Sequence, residues 1–356
     1  MNFHGGNIYD YDNEIIDFSS NINPLGVSEK LKYEISKRID EVSKYPDIKY
    51  SKLKSNISKY LNVDKSNITV GNGAVDIIYR AVICLPQKKA FIMAPAFSEY
   101  RKACEISNKE YFEIPSFDFD KNYFDIDFFK SKIEDNSIII ICNPNNPTGV
   151  GIKNTDIESI VEISEKKGNF IIIDEAFMEF TCDEAKFSFI SNIKKYNNVL
   201  IIRAVTKFFG LPGIRLGYGI SSNYKLNEKM EYFSKPWDIN TFAVIASDVI
   251  FNDIDYIEKS KKWIIDEREF IYNSLSNENN IHIYKSDSNF FLIKTNKNSK
   301  YIRDELLKHN ILIRIPEGFT GLFDNFIRIA VKDRESNIKI INALRSESLW
   351  IEKEEL

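Results

Sequence analysis

Lys207, in Arg203-Ala204-Val205-Thr206-Lys207-Phe208-Phe209-Gly210, puts a primary amine inside an otherwise largely apolar run. Upstream, Asp174 ends the run Phe170-Ile171-Ile172-Ile173 and is followed by Glu175-Ala176-Phe177. Further upstream lies Asn143-Pro144-Asn145-Asn146-Pro147-Thr148-Gly149, and downstream Gly213-Ile214-Arg215-Leu216-Gly217. Singly, each has an ordinary reading: a solvated strand-end lysine, a capping aspartate, a turn rich in Asn, Pro and Gly. Together, an amide, a carboxylate, an amine and a guanidinium in this order are the parts needed to hold pyridoxal phosphate (PLP). The amine can form a Schiff base with the cofactor's aldehyde. The carboxylate can keep the ring nitrogen protonated, so that the ring draws electrons. The guanidinium can fork onto the phosphate.

These groups must be carried by elements that converge. From Asn67 onward, short β-branched runs alternate with helical patterns. Ile68-Thr69-Val70 leads into Gly71-Asn72-Gly73, and a helix is predicted from Ala74 to about Leu85 with Val75, Ile78 and Val82 on one face. The free N–H groups and dipole of such a helix start suit a phosphate. Strands are predicted over Ala90–Ala94, Ile138–Cys142, Phe170–Asp174 and Val199–Arg203, and helices over Ser98–Ile106 and Asn154–Lys166. Thr155 with Glu158 makes a candidate capping box for the last helix. The alternation implies a largely parallel sheet covered on both faces, with active groups at the carboxyl ends of its strands. Asn146, Asp174 and Lys207 each stand at or after such an end. After Trp237 the pattern changes to one long helical stretch from about Asn240 to Ser276, then strands around Ile281, Phe290, Ile311 and Ile327. That reads as a smaller α+β unit.

Bulk properties narrow the function classes. The chain has 356 residues with 48 basic and 52 acidic side chains, a net charge of −4, which argues against nucleic acid as a partner. Its apolar runs are too short to span a bilayer, and Met1-Asn2-Phe3-His4-Gly5-Gly6-Asn7 has no apolar h-region. Cys84, Cys104, Cys142 and Cys182 suit neither a metal site nor a disulfide framework, so reduced thiols in a cytoplasm are expected and no metal.

With these motifs the sequence resembles the fold-type I PLP-dependent enzymes, in particular the class I/II aminotransferase group, over almost its whole length. The resemblance implies an α/β fold of the PLP-dependent transferase type. A large domain with a mainly parallel sheet would span residues 45–236, and a smaller α+β domain residues 1–44 and 237–356. It implies PLP as cofactor, Lys207 as Schiff-base lysine and proton shuttle, and Asp174 on the pyridinium nitrogen. Asn146 would bond the phenolic oxygen, Phe97 stack on the ring, and Gly73, Ala74, Thr206 and Arg215 surround the phosphate. Tyr45, in Tyr45-Pro46-Asp47, would reach the cofactor phosphate of a second subunit, making a homodimer with shared sites. Three residues depart from the wider family: Ala204 for a hydroxyl three before the lysine, Phe177 for a tyrosine, and Ala74 for a polar residue.

Within the group, His4-Gly5-Gly6-Asn7, Asp17-Phe18-Ser19-Ser20-Asn21-Ile22-Asn23-Pro24-Leu25-Gly26, Phe177 and Lys235-Pro236-Trp237 look like members that decarboxylate L-threonine O-3-phosphate. Transamination of histidinol phosphate is the alternative. The substrate would be a small phosphorylated amino acid. Arg328, in Phe326-Ile327-Arg328-Ile329-Ala330, matches the family's carboxylate-binding arginine, and Arg314 is a second anion ligand. His4 and Asn7 are assigned to the substrate phosphate, Asn23 to the carboxylate, and Asn146 also faces substrate. A purely binding role is a third reading, and Lys207 with Asp174 argues against it.

Overall fold

A computed structural model of the chain describes residues 5–350. Its centre is a seven-stranded sheet in the order Ile68–Gly71, Gly217–Ile220, Val199–Ala204, Phe170–Asp174, Ser137–Cys142, Lys89–Ala94, Glu110–Pro115. Gly217–Ile220 runs antiparallel to both its neighbours, and every other pairing is parallel. Side chains alternate across the pleat and helices cover both faces. Ile138 and Ile140 therefore join one hydrophobic core, while Ile139 and Ile141 join the other. All four are fully buried, as an uninterrupted isoleucine run requires. The predicted sheet and its helices are present, with Ala74–Cys84, Glu99–Ile106 and Asn154–Lys166 as the crossovers.

The second unit carries the antiparallel strands Ile281–Ile283, Phe290–Thr295 and Phe326–Ala330. The N-terminal segment is stitched into it. Ile16–Asp17 pairs parallel with Ile311–Leu312, and Ala330 N donates to Phe18 O at 2.8 Å. Segments far apart in sequence thus meet in one small unit.

Two sequence expectations are corrected. The stretch 240–276 is two helices, Thr241–Ile250 and Ile254–Leu275. Asn and Asp compete with helical hydrogen bonds through their own side chains. Here Asp253 turns inward, 3% exposed, to meet Lys30 Nζ at 2.8 Å, and the helix breaks there. The second correction is the capping box. The helix Asn154–Lys166 takes Lys153 as its N-cap, with no side-chain cap bond, and Thr155 already lies inside the first turn. Its entry is set from outside, because Ile152 N donates to Asn143 Oδ1 at 2.8 Å and Asn154 Nδ2 to Ala185 O at 2.9 Å. All four cysteines are free thiols, three of them buried and Cys182 exposed. Among the described residues no helix is long and apolar enough to cross a membrane.

Candidate active site

The carboxyl ends of three adjacent strands open onto one cavity of about 270 Å³, lined in part by Cys142, Asn146, Asp174, Ala204 and Lys207. The loop after Cys142 divides its labour. Asn143 spends its amide on Ile152 O and Phe187 O, at 3.0 and 2.8 Å, and Asn145 donates to Pro95 O at 2.9 Å. These two asparagines hold the loop, which leaves Asn146 to face the cavity. Its Oδ1 accepts from Arg328 Nη1 at 2.5 Å.

Asp174 and Glu175 point opposite ways at a strand end. Glu175 joins Glu179 and Glu184 around the fully buried Arg203, which anchors the strand below the site. Asp174 faces the cavity and is 5% exposed. Its Oδ2 accepts from the Tyr100 hydroxyl at 2.7 Å and its Oδ1 from Ala176 N at 3.0 Å. Burial pushes its pKa above the usual carboxylate range, while Tyr100, the Ala176 N–H and the Lys207 charge pull it back down. Tyr100 was not among the residues singled out from sequence.

Lys207 lies across the same cavity, with Nζ 5.9 Å from the Phe177 ring centroid. Burial, then the charges of Arg328, Arg215 and Lys332, lower its pKa to about 8, with Asp174 opposing them. Roughly a tenth is therefore free amine at pH 7, far more than for an unperturbed lysine, and the free amine is the form that attacks an aldehyde. The backbone of this segment is pinned by Asn23, whose N donates to Lys207 O at 3.1 Å and whose Nδ2 donates to Phe208 O at 2.8 Å and Ser260 Oγ at 2.7 Å. Asn23 is thus not on the cavity wall, contrary to expectation, because its amide is committed to holding the lysine segment. A tight turn, Ile22 N to Ser20 O at 3.1 Å, presents Asn21 to the cavity instead. Asn21 Oδ1 is buried without a hydrogen-bond partner among the described residues.

The phosphate end is built from the glycine turn. Gly73 N donates to Gly71 O at 2.8 Å, and Gly73 caps the helix Ala74–Cys84 with φ 89° and ψ 163°. A Cβ on Gly73 would sit 2.5 Å from Arg215 Nη2, so the glycine makes room for the arginine. Ala74, Val75, Thr206 and Arg215 complete this wall, and Phe97 stands beside it, edge-on to Tyr100 at 5.7 Å.

The cavity is also lined by Arg314 and Arg328, joined as a backbone bridge with N–O distances of 3.1 and 2.8 Å. Arg328 Nη2 donates to Ser19 O at 2.6 Å, and its Nε is buried without a partner among the described residues. Burial lowers Arg314 to about 10 and Arg328 to about 9, the latter also through Arg314, so both stay charged at neutral pH. Of the other expected substrate residues, His4 lies outside the described residues. Asn7 is off the cavity: it is exposed and donates to Asp10. Gly5 does line the cavity, and Gly6 N donates to Ser19 Oγ at 2.8 Å. Tyr45 is exposed and packs on Trp237 at 4.5 Å, away from this chain's own cavity.

The donor set fits PLP: a free amine, a buried carboxylate, a helix start with a guanidinium beside it, and an aromatic face between them. Residues 13–344 match the aminotransferase class I and II family, and the chain belongs to it, a family of PLP-dependent enzymes. The chain is 41% identical over 347 residues to a protein of Caldanaerobacter subterraneus subsp. tengcongensis, provisionally named a threonine-phosphate decarboxylase, with 96% of this chain and 93% of that one covered. It is 33% identical over 338 residues to the histidinol-phosphate aminotransferase of Methanosphaera stadtmanae, covering 93% and 90%. Among solved structures it superposes on the histidinol-phosphate aminotransferase of Clostridium acetobutylicum with a TM-score of 0.87 at 37% identity, covering 92% of this chain and 97% of that one.

Proposed function

We propose that this enzyme decarboxylates L-threonine O-3-phosphate, releasing carbon dioxide and (R)-1-amino-2-propanol O-2-phosphate. The observation that carries the reading is the pair Arg314 and Arg328, two buried arginines bridged through their backbones and both lining the cavity that Ala74 and Arg215 also line. A short amino acid with both a phosphate and a carboxylate satisfies two fixed cations at once. The 41% identical relative supports the same substrate.

Bound PLP supplies a sink for the electron pair left when a bond at the substrate Cα breaks. The chain's own residues choose the bond. Arg328, fixed by Asn146 and Ser19, grips the carboxylate, and Arg314 takes the second anionic group. Gripping both ends would fix the substrate's rotation about its Cα bonds, and so select which of them is placed to break. Lys207 would hold the cofactor through Nζ until the substrate amine displaces it, and the freed, protonated Nζ would then deliver a proton to Cα in place of the lost carboxylate. Asp174 keeps the proton on the ring nitrogen. Phe177 puts an apolar face, with no hydroxyl, beside the lysine.

Transamination of histidinol phosphate is the second reading. A dicarboxylate amino donor such as glutamate would also satisfy the arginine pair, and the 37% identical structure supports it. The two separate in one experiment. Each phosphorylated substrate is incubated with and without 2-oxoglutarate, while carbon dioxide and glutamate are followed in parallel. Carbon dioxide from threonine phosphate without keto acid is expected. Rapid glutamate formation from histidinol phosphate, with no carbon dioxide from threonine phosphate, would reverse the assignment.

We also infer a cytoplasmic homodimer, with residues 45–236 as its large domain and residues 1–44 and 237–356 as the smaller one. Tyr45 and Trp237 form an exposed aromatic pair, with Val42, Ile48 and Phe233 also exposed in the neighbouring sequence. Tyr45 would reach the second subunit's cofactor phosphate. Sedimentation of Tyr45→Ala against the parent, paired with PLP affinity, tests this. A monomeric parent would contradict it.

A further inference from the structure

We propose that Tyr100 is a positioning residue that holds Asp174 as a carboxylate less basic than its burial alone would make it, so that the proton shared with the cofactor's ring nitrogen stays on the nitrogen. Tyr100 is 1% exposed and its hydroxyl donates to Asp174 Oδ2 at 2.7 Å, while Oδ1 accepts from Ala176 N at 3.0 Å. Both carboxylate oxygens are thus held, one from the helix Glu99–Ile106 and one from the turn after the strand. The groups facing this cluster are few. The Cys142 thiol, at the end of the adjacent strand, meets the Tyr100 hydroxyl, and the Lys207 amine approaches from the segment after Val199–Ala204.

The chemistry follows from proton competition. A bare buried carboxylate is a strong base, because burial favours its neutral form. Opposite a pyridine nitrogen it would draw the shared proton to itself and leave the ring neutral. A neutral ring is a poor electron sink. A hydrogen bond from Tyr100 disperses the carboxylate's charge and weakens it as a base, so the proton and the positive charge remain on the ring. Burial alone would work against catalysis at Asp174, and Tyr100 offsets it. The inference holds whether the reaction is decarboxylation or amino transfer.

Phe97 and Tyr100 are three residues apart at a helix start, edge to face at 5.7 Å. One turn therefore serves the cofactor twice, with Phe97 against the ring and Tyr100 behind its acid partner.

The test uses Tyr100→Phe, which keeps the ring and removes the hydroxyl. In cofactor-free protein, the Asp174 carboxyl is titrated by infrared difference spectroscopy, with Asp174→Asn as the subtraction reference. Loss of one charge-assisted hydrogen bond should move the Asp174 midpoint up by about one to two pH units. In the loaded enzyme, kcat should fall about ten- to a hundredfold with KM little changed, since the Tyr100 hydroxyl is committed to Asp174. An unmoved Asp174 midpoint would overturn the proposal, as would a loss confined to KM. Should Tyr100→Phe fail to fold, the parent can be grown with 3-fluorotyrosine. Its more acidic phenol donates more strongly and should move the Asp174 midpoint down, and an unchanged midpoint overturns the proposal equally.

Discussion

Gly73→Ala should separate the cost of backbone strain from the cost of a lost phosphate ligand. Gly73 sits at φ 89° and ψ 163°, a region that only glycine occupies readily. Alanine there should cost about 1–3 kcal/mol. That strain is present with or without cofactor, so it lowers the melting temperature of the cofactor-free protein and does not itself weaken binding. The second cost is specific to PLP. The new Cβ would lie 2.5 Å from Arg215 Nη2 and 3.1 Å from Cζ, so the guanidinium must move off the phosphate wall. Losing one charge-assisted contact costs about 1.5–3 kcal/mol, a rise in PLP dissociation constant of roughly ten- to a hundredfold. The assay is PLP titration of cofactor-free protein followed at the cofactor's absorbance band, alongside calorimetric melting. Gly213→Ala is the control, since a Cβ there meets nothing within 4 Å. If Gly73→Ala bound PLP as the parent does while melting earlier, Arg215 would not be a phosphate ligand.

Other consequences are as direct. Lys207 must be uncharged to capture the aldehyde, and its pKa is lowered to about 8, chiefly by burial and Arg328. The rate of PLP capture should therefore rise with pH and level off above about pH 9, whereas a rise continuing past pH 10 would mean an unperturbed amine. Arg328→Gln removes a cation and its bonds to Asn146 Oδ1 and Ser19 O. KM for the amino substrate should rise roughly ten- to a hundredfold while PLP still binds, and an unchanged KM would remove Arg328 from the substrate site.

Much of this site was legible because its chemistry follows strand ends. Ile138 to Ile141 and Phe170 to Ile173 are apolar enough to be buried on both faces, so Asn146 and Asp174 had to emerge at their carboxyl ends. What sequence could not settle is which of two like residues works. Asn21 and Asn23 are chemically equal, and only the turn at Ser20 decides that one faces the cavity while the other holds the lysine's backbone. Asn7 likewise bonds its neighbour Asp10. The break at Asp253 was hidden because its partner, Lys30, lies 223 positions away. Tyr100 left little trace: Phe97 precedes the helix Glu99–Ile106 that Tyr100 belongs to, so helical spacing does not relate the two, and only the fold brings the hydroxyl to Asp174.

The assignment of the reactive amine is tested most directly by trapping it. The PLP-loaded protein is reduced with borohydride, digested and mapped by mass spectrometry. A single pyridoxyl adduct on Lys207, absent from Lys207→Ala, is the expected result. An adduct on any other lysine, with Lys207 unmodified, would contradict the site built around it.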